Sequence, residues 1–407
     1  MPDGTTAFVC AAAGLLGLIA LQLPGWLWLW RQQASSTWRG LIALVLSMAH
    51  APFFYWLLLY KEMPLELPTA VWYVAWFFGL AVVLSGLGLT VWRAVARREV
   101  AAGDPASVPV SSQRRSFLRF AVLSGISIVG SAQLLATTRP RRGHVEFVEL
   151  SVSGLPPELA GLRIGVVSDI HSGPFMQRSQ MERYRRELEE LECDVVILPG
   201  DFIINRTAEI YPFAEAFAGL SAPLGVYAVT GNHDYFSGEV ERICREIEQA
   251  GIRLLRNEAV VLERNGGRLT LAGLDDFYAR LLPAYAEGTA DPDGVLSRWE
   301  SLLQDLPQPR IVACHRPYYF EHLVLLGADA VLSGHTHGGQ IVLAELGSLK
   351  FAPAAIVSPY LAGTYWSMHR PQAWMYVTRG IGTVGIPVRW NAPPEITHLR
   401  LVPAEEA

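Results

Sequence analysis

Charged residues are scarce in this chain of 407 residues: 17% are Asp, Glu, Lys or Arg, against 51% hydrophobic. That balance is too apolar for a purely soluble protein. Cysteine is scarcer still. Cys10, Cys193, Cys244 and Cys314 contain no C-x-x-C pair, which removes the usual thiolate zinc site and dithiol redox motif and leaves no disulfide framework. Each of Cys10, Cys244 and Cys314 sits in an apolar or amphipathic stretch, so buried free thiols are expected. No basic run is interleaved with aromatics, and the net charge is −5, so nucleic-acid binding has no support. Internal repeats and low-complexity tracts are also missing.

What is present is unevenly spread. Nearly all the excess apolarity lies before residue 137, in blocks at about 7–30, 40–60, 69–92 and 117–136. Each is close to the ~20 residues a helix needs to cross a bilayer, and Trp and Tyr gather near several ends. The expectation is an all-α transmembrane region of about four helices over residues 1–136, followed by a domain at 145–402. Arg31 and Arg39 mark the first loop, Glu62 and Glu66 outnumber Lys61 in the second, and Arg93, Arg97, Arg98, Arg114 and Arg115 crowd the third. By the positive-inside rule this predicts a multi-pass cell-membrane protein with its carboxy-terminal domain outside the cytoplasm. Gln113-Arg114-Arg115-Ser116-Phe117-Leu118-Arg119 is similar to a twin-arginine export signal, with Gln113 in place of the usual Ser or Thr.

Beyond residue 145 the pattern changes to short apolar runs, each halting at a metal-ligand residue beside a small one. The runs end at Ser168-Asp169-Ile170-His171, Gly200-Asp201, Gly231-Asn232-His233-Asp234, Cys314-His315-Arg316-Pro317 and Gly334-His335-Thr336-His337. Each reads as a buried strand with a polar stop. Amphipathic helices lie between them: Met181, Tyr184, Leu188 and Leu191 share one face, and Val240, Ile243 and Ile247 another. Side chains just past the carboxyl ends of neighbouring strands converge on one crevice, so five such ends can assemble one cluster. A mixture of carboxylate, amide and imidazole without thiolate suits Mn, Fe or Zn in open sites better than a closed structural zinc.

The series D-x-H, G-D, G-N-H-D, H-x-P and G-H-T-H resembles the calcineurin-like metallophosphoesterases. The wording G-H-T-H-G-G-Q, with Arg379-Gly380-Ile381-Gly382-Thr383, is similar to their membrane-attached bacterial branch. The resemblance implies an α/β fold of two facing mixed β-sheets flanked by helices. It also implies two divalent metal ions: Asp201 as the bridge, Asp169, His171 and His337 completing one site, and Asn232, His315 and His335 the other. A metal-bridging hydroxide would then attack a phosphate ester, diester or pyrophosphate, with lipid- and nucleotide-linked substrates both fitting. His233 is assigned to the leaving oxygen, and Asp234 to orienting its ring.

Other polar residues carry less. Asp275 and Asp276 follow an apolar run and read as turn residues. His50, His144, His322, His369 and His398 have no motif around them, while Arg316, Arg379 and Arg389 are candidates for substrate phosphate. The alternative to an enzyme is a catalytically inactive metal-binding or sensing protein on the same fold. A transporter is disfavoured, because only His50 and a few Ser and Thr residues interrupt the apolar blocks.

Overall fold

The computed structural model describes residues 144–276, 294–346, 349–356, 358–385 and 387–404. Two six-stranded sheets form the domain. The first runs in the order β1 (His144–Val152), β14 (Glu395–Pro403), β2 (Arg163–Val166), β3 (Val195–Pro199), β4 (Val226–Val229), β5 (Arg253–Leu254). The second runs β12 (Gly363–Trp366), β13 (Trp374–Val377), β9 (Ala330–Ser333), β8 (Arg310–Cys314), β7 (Gly267–Leu274), β6 (Glu258–Arg264). Both are mixed. Strands β2 to β5 are mutually parallel, as are β13, β9, β8 and β7, whereas β14 meets β2, β12 meets β13 and β6 meets β7 antiparallel.

The period-2 alternation of a strand decides which layer each side chain joins. On β3, Val195 and Ile197 face the inter-sheet core, with Leu271, Ile311, Ala313, Leu332 and Trp374 from the other sheet. Val196 and Leu198 face outward. There they meet Met181, Tyr184 and Leu188 of α1 (Arg178–Glu189), Phe213 and Phe217 of α2 (Ile210–Phe217), and Ile243 and Ile247 of α4 (Val240–Gln249); α3 is the short helix Asn232–Phe236. On β8, Ile311 and Ala313 point inward, while Val312 and Cys314 meet α5 (Val295–Asp305) and α6 (Phe320–Leu325). The layers are therefore helix, sheet, sheet, helix. Cys193, Cys244 and Cys314 are buried free thiols.

Two expectations are corrected. Among the described residues no helix is long and apolar enough to cross a membrane, so the all-α transmembrane part of the expected fold class does not stand. The four apolar blocks, the loop arginines, Cys10, His50 and the twin-arginine resemblance all lie outside the described residues. From Ser348 onward the sequence returns to strand-like runs and Gly/Pro turns, which by themselves suit a second sheet facing the first. Strands β12 and β13 join that sheet, but β14 inserts between β1 and β2 of the first. It pairs along its whole length with β1, from His144↔Glu395 to Val152↔Pro403, closing the sheet with the far end of the chain.

Candidate metal centre

The parallel strands of both sheets end at one edge of the sandwich, and the polar stops gather there. Five of the side chains concerned sit on left-handed backbone: Asp169 (φ 52°), His171 (φ 48°), Asp201 (φ 59°), His335 (φ 75°) and His337 (φ 53°). For a non-glycine residue that conformation costs about 1–2 kcal/mol, and such strain collects where geometry is over-determined by its surroundings. Glycines let the loops close up. A Cβ on Gly334 would lie 2.1 Å from Ser168 Oγ, and one on Gly231 would lie 2.2 Å from Asp201 Oδ1.

Asp201 is central. Its Oδ1 accepts the His233 backbone N–H at 2.9 Å, and its Oδ2 lies 3.1 Å from His315 Nε2 and 3.5 Å from His171 Nε2. On one side His171 Nε2 is 3.1 Å from His337 Nε2, which is 3.5 Å from Asp169 Oδ1. On the other, His315 Nε2 is 3.2 Å from His335 Nδ1. Ligand atoms about 2.0–2.2 Å from one ion stand about 3 Å apart, so the spacing within each group is that of donors able to share an ion. Three such groups occur among the described residues: Asp169, His171 and His337; Asp201, His315 and His335; and His171, Asp201 and His233.

The rings are held from behind. His171 Nδ1 faces the Ile203 carbonyl at 3.2 Å and His315 Nδ1 the Pro199 carbonyl at 2.7 Å. Donation there leaves each Nε2 lone pair directed at the cluster. Arg389 Nη2 donates to His337 Nδ1 at 3.1 Å, which fixes the orientation of that ring. Asn232 lies in the first turn of α3, and its buried Oδ1 has no hydrogen-bond partner among the described residues. An unpaired buried carbonyl oxygen costs about 1–3 kcal/mol, which a cation beside it would offset. The donor set and this orphaned oxygen both fit a divalent metal.

Burial dominates the electrostatics. It holds His171 and His335 at about 3, with help from neighbouring His233 and His315 respectively, and holds His337 well below its ordinary value. Neutral imidazole is the ligating form. Burial also pushes Asp169 up to about 6 against the pull of His315. For Asp201 burial acts the same way, but the facing histidines His315, His233 and His171 win and keep it well below the carboxylate range. Its counterpart His315 is raised to about 10, Asp201 overcoming the effect of burial.

Several residues take parts different from those expected. The Asp234 carboxylate does not reach the His233 ring; it accepts the backbone N–H groups of Gly231 (2.8 Å), Phe202 (2.9 Å) and Asp201 (3.2 Å), so it shapes the loop that carries Asp201. The His233 Nδ1 contact is the Ile204 carbonyl. Behind that carbonyl sits Glu209, fully buried, whose Oε2 takes the N–H groups of Ile204, Asn205 and Arg206 at 2.9–3.0 Å. Nothing in the sequence around Glu209 marks this function.

Asp275 and Asp276 are buried ion-pair partners rather than surface turn residues. Asp275 pairs with Arg256 at 2.7 Å, and Asp276 with Arg316 through two 2.8 Å bonds. Both follow β7, so the same strand-end signature that marks the ligands marks them. Of the arginine candidates for phosphate, Arg316 is thus engaged with Asp276 and Arg379 with Glu395 and Glu146. Arg389 donates to the carbonyls of Gly382, His337, Arg379 and Ala392. They brace the loops around the centre. His398 lies on β14 and His322 on α6, away from the cluster; the rings of His398 and Phe147 are 5.2 Å apart.

Comparison with known proteins agrees with this geometry. A profile of the calcineurin-like phosphoesterases matches residues 162–339, the span from β2 to the His337 loop. A metallophosphoesterase of Aquifex aeolicus is 30% identical over 59% of this chain and 85% of its own length, and one of Helicobacter pylori is 32% identical over 60% and 61%. The chain therefore belongs to the calcineurin-like metallophosphoesterase family, and its activity class is metal-dependent phosphoester hydrolysis. A Danio rerio protein named as a transmembrane protein with a metallophosphoesterase domain is 29% identical over 98% of this chain and 91% of its own length.

Proposed function

We propose that the chain hydrolyses a phosphate ester, diester or pyrophosphate at a two-metal centre, as a membrane-associated member of its family. The observation that carries the two-ion reading is the position of one atom: Asp201 Oδ2 stands between His171 Nε2 and His315 Nε2, 3.5 and 3.1 Å away. Asp169, His171 and His337 would hold one ion and Asn232, His315 and His335 the other, with Asp201 shared. Bound there, divalent Mn, Fe or Zn supplies activation of water and neutralisation of phosphoryl charge.

The chain's own residues do the rest. Asp169 accepts the His335 backbone N–H at 2.9 Å through Oδ1, tying the first ligand loop to the last. His233 stacks edge-on to His171 with ring centroids 4.6 Å apart, and its Nδ1 is occupied by the Ile204 carbonyl. Its Nε2 is the position from which a proton passes to the leaving oxygen. Membrane association is supported by the name of the Danio rerio relative, which aligns over nearly the whole chain.

The test is turnover of purified protein on phosphomonoesters, diesters and pyrophosphates with Mn, Zn, Fe and Mg in turn. Hydrolysis that is abolished by chelation, restored by one of these ions and absent from Asp201→Ala with all of them is the expected result. An Asp201→Ala protein as active as the unmodified one removes the shared-carboxylate reading.

A further inference from the structure

Several exposed apolar side chains lie on the segments that follow the ligand residue His337. Ile356 is 91% exposed, Leu343 70%, Phe351 50% and Trp390 45%. Backbone bonds join them: Leu343 N–H donates to the Phe351 carbonyl at 2.8 Å and Val342 N–H to the Trp390 carbonyl at 2.9 Å, and the 3₁₀ turn Pro353–Ile356 continues from Phe351. Val342, Ala352, Leu361 and Ala392 pack beneath as a small core of their own. This core stands directly behind the ligand loop, since a Cβ on Gly339 would lie 2.9 Å from Ala352 Cβ. The patch carries little charge. On the hairpin of β10 (Ala344–Leu346) and β11 (Leu349–Phe351), Lys350 and Glu345 face each other at 3.8 Å.

Two facts say what covers it. The chain enters the domain on this side: His144 N–H donates to the Pro394 carbonyl, four residues beyond Trp390, and Glu395 N–H donates to the Gly380 carbonyl beside Asp169. Only residues 137–143 separate that point from the last apolar block of the sequence. Metal centre, apolar patch and point of chain entry thus share one edge of the sandwich. Trp and aliphatic side chains without net charge suit the headgroup and acyl boundary of a bilayer, whereas a soluble monomer keeps such patches small.

We propose that this patch seats in the interfacial layer of a lipid bilayer, so that the metal centre acts on phosphate esters carried by lipid headgroups. The proposal rests on the membrane-associated phosphoesterase reading above. Leu343, Phe351, Ile356 and Trp390 anchor the edge; the ligand loop behind them then meets the headgroup layer without leaving it.

The test uses the full chain in phosphatidylcholine vesicles, with an environment-sensitive fluorophore on Ile356→Cys and, as a distant control, on Arg245→Cys of α4, which is exposed. Vesicles contain a lipid with a nitroxide near its headgroup. At Ile356→Cys we expect quenching at least about threefold stronger than at the control, in protein that floats with the vesicles. Floating protein with equal quenching at both sites overturns the proposal while leaving membrane association intact, and protein that fails to float overturns both. Crosslinking of Ile356→Cys to a second copy instead assigns the patch to dimerisation and overturns it as well. In parallel, Leu343→Ser with Ile356→Ser should lower the ratio of kcat/KM on a vesicle-borne ester to that on a soluble aryl phosphate by about tenfold. An unchanged ratio contradicts headgroup access, and activity on the aryl ester reports separately on the metal reading.

Discussion

The middle of the sandwich and its ligand-bearing edge are built from the same strands by opposite rules. Between the sheets, β3 and β8 place Val195, Ile197, Ile311 and Ala313 in relaxed extended backbone against an apolar neighbour. One or two residues past the same strands, Asp201 takes a left-handed conformation and His315 is buried with a charged partner. The core gains by removing apolar area from water; the edge gathers buried carboxylates and imidazoles that repel or desolvate one another without an ion. Stability and chemistry are therefore separable by substitution.

The largest expected effect breaks the chemistry and spares the fold. His233→Asn should retain metal and lower kcat by about 10²–10⁴-fold on alkyl phosphate esters, with a smaller loss on aryl esters whose leaving group needs little protonation. Metal content and kcat on a matched alkyl and aryl pair decide it. Equal losses on both would assign His233 to the phosphoryl oxygens, and loss of metal would make it a ligand.

Trp374→Ala is the converse. Trp374 is fully buried on β13, and its Nε1 donates to the Ser151 carbonyl at 3.0 Å, joining the two sheets. Its truncation should destabilise the domain by about 3–5 kcal/mol. Chemical denaturation measures this, and protein that still folds should keep its metal content per chain. A loss under 1 kcal/mol, well below the range for such truncations, would show that the inter-sheet core is not where stability resides.

Between the two lies Glu209→Ala, which removes the carboxylate gathering the N–H groups of Ile204, Asn205 and Arg206. Its effect should reach catalysis through the Ile204 carbonyl and the His233 ring, lowering kcat on alkyl esters by about tenfold, less than the ~10²–10⁴-fold a positioned acid contributes, because the ring stays in place and loses only part of its orientation. Glu209→Gln, which keeps one acceptor oxygen, should recover part of that. A loss of the same size on aryl and alkyl esters would separate Glu209 from His233.

The core and the cluster were legible in the sequence for a local reason: an apolar run that halts at Asp or His records both the strand and its polar stop in adjacent residues. The series from Asp169 to His337 was readable in this way, and the structure brings those side chains together. What was not readable depends on partners distant in sequence. The run from Glu395 to Pro403 names no neighbour, so its insertion beside β1, some 250 residues away, appears only in the fold. The family resemblance implies that Asp234 orients the His233 ring, but its carboxylate accepts N–H groups of the Asp201 loop, a contact set by the fold. Asp276 and Arg316 show the same limit: each stands out at its own strand end, but their pairing exists only because the ends of β7 and β8 lie side by side.

The central claim is that one carboxylate, Asp201, joins two ion sites at the edge of this sandwich. Elemental analysis of protein grown and purified without chelator measures it most directly, with Asp201→Ala alongside and circular dichroism confirming that both are folded. The account predicts close to two transition-metal ions per chain in the unmodified protein and reduced occupancy of both sites in the variant. Unmodified protein that binds none, or a folded Asp201→Ala protein that keeps both ions, would contradict it.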